Sequence, residues 1–257
     1  MTSVIRTLAW QTWLEARHGH LLAMLLALAA LGTGLRWFIS AVALIDPEAS
    51  GLAITAPAIR LIAVMVIASL AAHLICREFG DRRIDLLLSA PISRTTWVAG
   101  RMLGIMLIAT TVSAFAAIAL MGGTPLTALF AWTGSLAMEL SLVGSLAITV
   151  SVALKRLVPS LVAVLLLYVG ARLTGIIELL AHSDIPGLAD SGLAGWVASA
   201  LANGLPRLGN FTATEWLLGP VADQSFMTSL AGNAAQAGVS ITILLLVCVV
   251  DFSRDLD

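Results

Sequence analysis

The fold is decided by residues 57–94, which read PAIRLIAVMVIASLAAHLICREFGDRRIDLLLSAPISR. The first half, Pro57–Ile75, is an apolar run close to the length of about 20 residues that a helix needs to cross a hydrocarbon core. The second half, Cys76–Arg94, is dense in charged residues. This junction predicts a membrane-spanning helix that ends in a polar connection at the membrane surface.

The composition extends this prediction to the whole chain. Of its 257 residues, 59% are hydrophobic and 11% charged, whereas about a quarter of the residues of an ordinary soluble domain are charged. Continuous runs rich in Leu, Ala and Val indicate helices rather than the alternating segments of a membrane barrel. We therefore expect one all-α integral membrane domain over residues 1–257. Its six predicted spans are Leu21–Ile45, Pro57–Ile75, Trp97–Met121, Leu126–Leu154, Leu157–Ala181 and Asn233–Val250.

Three segments outside these spans carry further predictions. Residues 1–20 combine apolar side chains at helical spacing with charged ones, which predicts an interfacial helix or, alternatively, a helical extension of the first span. Asp46–Ala56 is predicted to be a short outer connection. The long outer loop, 182–232, should contain short helices near Leu193–Leu201 and Thr212–Glu215, which would form either a lid or an ordinary amphipathic loop.

The basic residues predict the orientation of the chain. Short cytoplasmic loops of membrane proteins carry an excess of Lys and Arg. With the N-terminus inside, the outer loops hold only Arg207, so both termini are predicted to be cytoplasmic. The inner segments then hold Arg6, Arg17, Arg77, Arg82, Arg83, Arg94, Arg101, Lys155, Arg156 and Arg254.

The sequence shows no motif typical of an enzyme. The phosphate-binding pattern Gly-x-x-x-x-Gly-Lys-[Ser/Thr] is absent, as are a Ser-His-Asp grouping and paired catalytic carboxylates in a plausible context. His73 and Cys76 lie three residues apart but are too few for a metal site. The net charge of -1 averages a basic inner face with an acidic outer one, and no basic surface for nucleic acid is predicted.

The inner segment 76–96 contains the most specific pattern. Residues 81–90 can form a short amphipathic helix parallel to the membrane, which Pro91 ends because proline lacks an N–H donor and disfavours helix in the residue before it. Such a helix is a docking element; the alternative is a solvated basic loop that only sets the topology. The candidate docking residues are Arg77, Glu78, Arg82, Arg83, Asp85, Leu87, Pro91 and Arg94.

This segment resembles the connection between the second and third spans of permease subunits in the ABC-2 family of ATP-binding-cassette transporters. The resemblance lies in Arg77-Glu78, in the acidic residue, leucine run and Pro-Ile-Ser-Arg of 84–94, and in Gly100-Arg101. Arg82-Arg83 stands where the family usually has Gly-Thr, and Arg101 replaces its lysine. The six-span layout is similar over essentially the full length, particularly to small bacterial permeases such as those of nitrous-oxide-reductase maturation transporters.

The resemblance implies a function that composition and spacing alone do not. It implies a subunit of an ATP-driven exporter in a bacterial inner membrane, whose 76–96 segment docks as a coupling helix on a separate cytosolic ATPase that binds ATP and Mg. It also implies a second permease copy, identical or a paralogue. An ion-coupled secondary transporter and a membrane assembly factor that moves nothing are the alternatives.

Charged residues within the predicted spans form a second group of candidates. Ionisable groups at membrane depth are costly and indicate either a transport pathway or a paired site. One interpretation is a cationic vestibule for an anionic or amphiphilic cargo. The other pairs the carboxylate with one arginine and lets the remaining arginines extend towards the membrane surface. The candidate pathway residues are Arg36, Arg60, Glu139 and Arg172.

Overall fold

The computed structural model describes residues 2–18, 21–44, 46–81, 93–122, 124–181, 208–211, 217 and 223–254. Within these residues the regular elements are helices and no strand occurs, which confirms the predicted all-α class. The helices are α1 (Thr2–His18), α2 (Leu21–Val42), α3 (Pro47–Gly80), α4 (Arg94–Ile118), α5 (Leu126–Leu154), α6 (Leu157–Ala181) and α7 (Asp223–Arg254), with a short 3₁₀ helix at Leu208–Phe211.

Five of these helices are long and apolar enough to cross a bilayer, as expected of a multi-pass membrane protein. They are α2, α3, α4, α5 and α7, the last within Thr228–Phe252. The fifth predicted span, Leu157–Ala181, corresponds to α6, a helix of 25 residues. Its described apolar part, Leu157–Leu173, is shorter than the other five.

The prediction of an outer connection at Asp46–Ala56 is wrong, because α3 is a single helix of 34 residues that begins at Pro47 and contains Pro57. Pro47 suits the first helical turn, because the N–H groups of that turn have no acceptor within the helix and the missing N–H of proline therefore costs no hydrogen bond. The early part of α3 packs against α2. A Cβ added at Gly51 would lie 2.5 Å from Oγ of Ser40, so the two backbones approach closely. This packing holds the helix together through Pro57, which hydropathy alone had marked as the start of the span.

Several other helix ends differ from the predicted spans: α2 ends before its apolar run does, and two later helices begin in polar residues ahead of theirs. The first span ends at Val42 rather than Ile45. Helix α4 starts three residues earlier than expected, where the Ser93 hydroxyl accepts a hydrogen bond from the Thr96 amide at 3.3 Å. Helix α7 begins at Asp223, so the outer loop ends well before residue 232. The short helices predicted near 193–201 and 212–215 lie outside the described residues.

Helix α5 occupies the centre of the bundle. It packs against α3, α4, α6 and α7. Its buried residues include Leu136, Leu140 and Ala147, and a side chain at Gly144 would collide with Ile105 of α4. The one acidic residue of this helix, Glu139, is fully buried.

Helix α1 lies against α4 along a face of small residues. Leu8 and Thr12 of α1 are buried. A Cβ added at Gly100 of α4 would lie 2.6 Å from Cβ of Leu8, and one added at Gly104 would collide with Thr12. Glycines four residues apart allow such close approach. The helix predicted within residues 1–20 is thus present, and it is docked onto the bundle by one face.

Candidate functional site

A buried carboxylate on α5 joins three helices. The Glu139 side chain is fully buried. Its Oε2 atom pairs with Nη1 of Arg60 on α3. Its Oε1 atom accepts hydrogen bonds from Arg172 Nη1 at 2.9 Å and from the Tyr168 hydroxyl at 3.0 Å, both on α6. We call these four residues the Glu139 cluster.

The same cluster holds the 3₁₀ helix against the bundle. Arg60 Nη1 also donates to the carbonyl oxygen of Phe211 at 2.8 Å, and the Ser135 hydroxyl donates to that same oxygen. The Arg60 guanidinium lies 5.3 Å from the centre of the Trp132 ring, a distance typical of cation–π contacts. Side chains and backbone thus fix Arg60 from several sides.

The charges of the Glu139 cluster do not cancel within the described residues. Two guanidinium groups face one carboxylate, which leaves one excess positive charge. Among the described residues, Nε and Nη2 of Arg60 are buried and have no hydrogen-bond partner. Unpaired donors and an uncompensated charge in a buried setting are destabilising, so the cluster is suited to receive an anion.

A cleft opens beside the cluster between α3 and α6. Its volume is about 190 Å³, and it is open on one side. Both arginines of the cluster reach it, and its other walls are mainly apolar. The lining residues are Pro57, Arg60, Leu61, Tyr168, Val169, Arg172 and Leu173.

The structure brings together three of the four candidate pathway residues. Arg60, Glu139 and Arg172 meet, so Glu139 pairs with two arginines where one was considered. Arg36 lies apart, and its Nη2 donates to the carbonyl oxygen of Gly122. Tyr168 was not predicted, although a signal existed: it lies four residues before Arg172, on the same helix face.

A second cluster, buried except for Glu15, joins α1, α3 and α4. Nη2 of Arg101 pairs with Oε1 of Glu78. Nη1 of Arg101 donates to the Thr12 hydroxyl at 2.8 Å and to Oε2 of Glu15 at 3.1 Å. We call these four residues the Arg101 cluster. Because Glu78 lies near the end of α3 and Arg101 near the start of α4, the cluster fixes the two helix ends that flank residues 82–92.

The candidate docking residues fall into three groups. Glu78 is buried within the Arg101 cluster. Arg77 is exposed and its Nε lies 3.5 Å from Oδ2 of Asp81, while Arg94 begins α4. The remaining five, Arg82, Arg83, Asp85, Leu87 and Pro91, lie outside the described residues. The sequence marks Arg101 only as part of the motif and gives no sign that it binds Glu15.

Comparisons with known proteins do not assign a family to this chain. No family model matches the sequence, and no curated protein matches it. Its function is therefore inferred from its own residues, chiefly the 77–101 motif and the two clusters.

Proposed function

We propose that this chain is the permease subunit of an ABC-2 type ATP-driven exporter. In this proposal α6 also crosses the membrane, as the fifth of six spans, α1 lies at the inner interface, and both termini face the cytoplasm of a bacterial cell. A separate cytosolic ATPase binds ATP and Mg and receives the coupling segment, 76–96. A second permease copy, identical or a paralogue, completes the pathway.

The observation that carries this proposal is the buried anchoring of the motif's two flanks. Arg77-Glu78 and Gly100-Arg101 are the parts of the motif on either side of residues 82–92. Glu78 and Arg101 form an ion pair with little solvent exposure, and Gly100 lies against α1. A push on the intervening segment would therefore move α1, α3 and α4 together rather than bend a loose loop.

The geometry also offers a route from this segment to the interior of the bundle. Helix α3 contributes Glu78 to the Arg101 cluster and Arg60 to the Glu139 cluster. Closure of the ATPase pair would displace the coupling segment, and α3 would carry the displacement to the charged interior. Transport would follow from rearrangement of the helices that meet at Glu139.

The test is ATP hydrolysis by the complex that the full chain forms in its native membrane. Purified wild-type complex should hydrolyse ATP in a vanadate-sensitive manner. Arg94→Glu and deletion of residues 85–89 should remove that activity while the chain still inserts into the membrane. Arg156→Glu, which changes an exposed arginine outside the motif, is the matched control and should retain it.

Glu78 is less suitable for this test, because a buried ion pair makes its loss a folding defect as well. If the Arg94→Glu and deletion variants keep wild-type ATP hydrolysis, the proposal is wrong. Ion-dependent flux without any bound ATPase would identify a secondary transporter instead. Absence of both activities from the wild-type complex would identify an assembly factor.

A further inference from the structure

We propose that the cleft between α3 and α6 binds the anionic head of an amphiphile, a phosphate or carboxylate group attached to an apolar tail. The proposal depends on the geometry of the Glu139 cluster and not on the identity of any ATPase. It therefore goes beyond the proposed function and can be tested on the chain alone.

The head group is assigned from charge and hydrogen bonding. The cleft is lined by Arg60 and Arg172, whose two positive charges are opposed by the single carboxylate of Glu139. Within the described part of the chain, the buried Nε and Nη2 of Arg60 have no acceptor. A phosphate or carboxylate oxygen supplies acceptors and negative charge at once, and arginine binds both groups well.

Glu139 and Tyr168 set the geometry of this site. Glu139 holds one Nη1 atom from each arginine, and the Tyr168 hydroxyl donates to the same carboxylate. The two guanidinium groups are thus kept near each other although their charges repel. Arg172 is the more accessible of the two, since 26% of its side chain is exposed against 1% for Arg60.

The size of the cleft limits what can enter it. Its volume is about 190 Å³, which corresponds to roughly six water molecules at about 30 Å³ each. Sites that enclose a whole drug-sized ligand usually span about 300–1,000 Å³. The cleft therefore has room for a small head group and leaves the rest of the ligand outside.

The apolar tail is assigned from the rim of the cleft. Leu61 of α3 and Val169 and Leu173 of α6 line the cleft, yet they are 55%, 49% and 41% exposed. An apolar chain that leaves the head group would lie along these side chains and cover them. A free hydrophilic anion would leave the same surface uncovered, so the combination of arginines and apolar rim favours an amphiphile.

The experiment measures binding of dodecyl phosphate to the full chain in maltoside micelles. The readout is the rise in melting temperature that the ligand causes. Wild-type protein should bind it, and Arg172→Gln should weaken binding at least tenfold. Arg172→Lys, which keeps the charge, should recover part of the affinity. Arg156→Gln is the matched control and should bind as wild type does. Since Arg60→Gln could prevent folding, the partly exposed Arg172 is the residue to vary.

Two further ligands test whether binding requires both the anionic head group and the apolar tail. Dodecylphosphocholine has the same tail but a zwitterionic head, and it should bind at least tenfold more weakly than dodecyl phosphate. Inorganic phosphate has no tail and should bind more weakly still. Equal binding of inorganic phosphate would overturn the assignment to an amphiphile, and equal binding by Arg172→Gln or of the zwitterion would overturn the anion site itself. Neither result depends on ATPase association, so this inference and the proposed function fail separately.

Discussion

Replacing Glu78 with glutamine should cost far more stability than the same change at Glu15, although both carboxylates bind Arg101. The side chains of Arg101 and Glu78 are 5% and 6% exposed, whereas that of Glu15 is 38% exposed. Removing one partner of a buried ion pair costs about 3–5 kcal/mol. We expect about 3 kcal/mol for Glu78→Gln, because Glu15 still compensates part of the charge. For the exposed Glu15 we expect about 0.2–1 kcal/mol.

The measurement is the free energy of unfolding in mixed micelles, titrated with dodecyl sulfate and followed by tryptophan fluorescence. A difference of about 2 kcal/mol between the two variants corresponds to roughly a thirtyfold difference in the unfolding equilibrium constant. Arg101→Gln should cost at least as much as Glu78→Gln, since it leaves a buried carboxylate without a cation. All variants are compared in one detergent composition.

A double-mutant cycle checks the pairing itself. Combining Glu78→Gln with Arg101→Gln should cost less than the sum of the two single changes, with an interaction energy of about 0.5–3 kcal/mol. Equal losses at Glu78 and Glu15 would refute the reasoning from burial. Strict additivity in the cycle would refute the ion pair.

Three further predictions concern other parts of the bundle. Gly104→Ala should lower the free energy of unfolding by about 1–3 kcal/mol, because the added methyl group collides with α1. At Gly134 the added methyl group meets nothing within 4 Å, so Gly134→Ala should leave the stability unchanged or raise it by up to about 1 kcal/mol. Equal melting temperatures for the two variants would contradict the contact between α1 and α4. Asp46 has a φ of 49°, so Asp46→Gly should raise the melting temperature and Asp46→Ala should lower it; the reverse order would exclude this backbone strain. Glu139→Gln should cost about 3–5 kcal/mol in detergent unfolding, because the buried Arg60 and the partly exposed Arg172 lose their counter-charge. Wild-type stability of this variant would disprove the pairing.

Hydropathy predicted the bounds of two helices correctly, because their apolar runs extend over the whole helix. The bounds of α5 and α6, Leu126–Leu154 and Leu157–Ala181, agree with the predicted runs. The same reasoning failed for α3, because composition cannot show that packing against α2 carries the helix through Pro57. Helix α7 likewise extends through polar residues from Asp223, before its apolar part. Apolar runs locate the part of a helix suited to lipid, and caps and packing decide where it ends.

The candidate sites were less predictable from the sequence. A buried Glu139 requires a cation, and the sequence offered three intramembrane arginines. Which of them meet it depends on how α3 and α6 pack around α5. The Arg101 cluster was harder still, because 86 residues separate Arg101 from Glu15. The signal that the sequence does contain is the pair Gly100 and Gly104, since glycines four residues apart are typical of a close helix contact.

Helix α3 is bound to its neighbours by a buried ion pair at each of two positions, Arg60 and Glu78. Arg60 and Glu78 are 18 positions apart, or about 27 Å along the helix axis at roughly 1.5 Å per residue. If α3 tilted as a rigid body by about 10° around one of these ion pairs, the other would move by about 5 Å, nearly the rise of one helical turn. A shift of that size would break the ion pairs at that end unless the neighbouring helices moved with α3. We therefore expect a displacement at one end of α3 to be accompanied by movement of the helices that bind its other end.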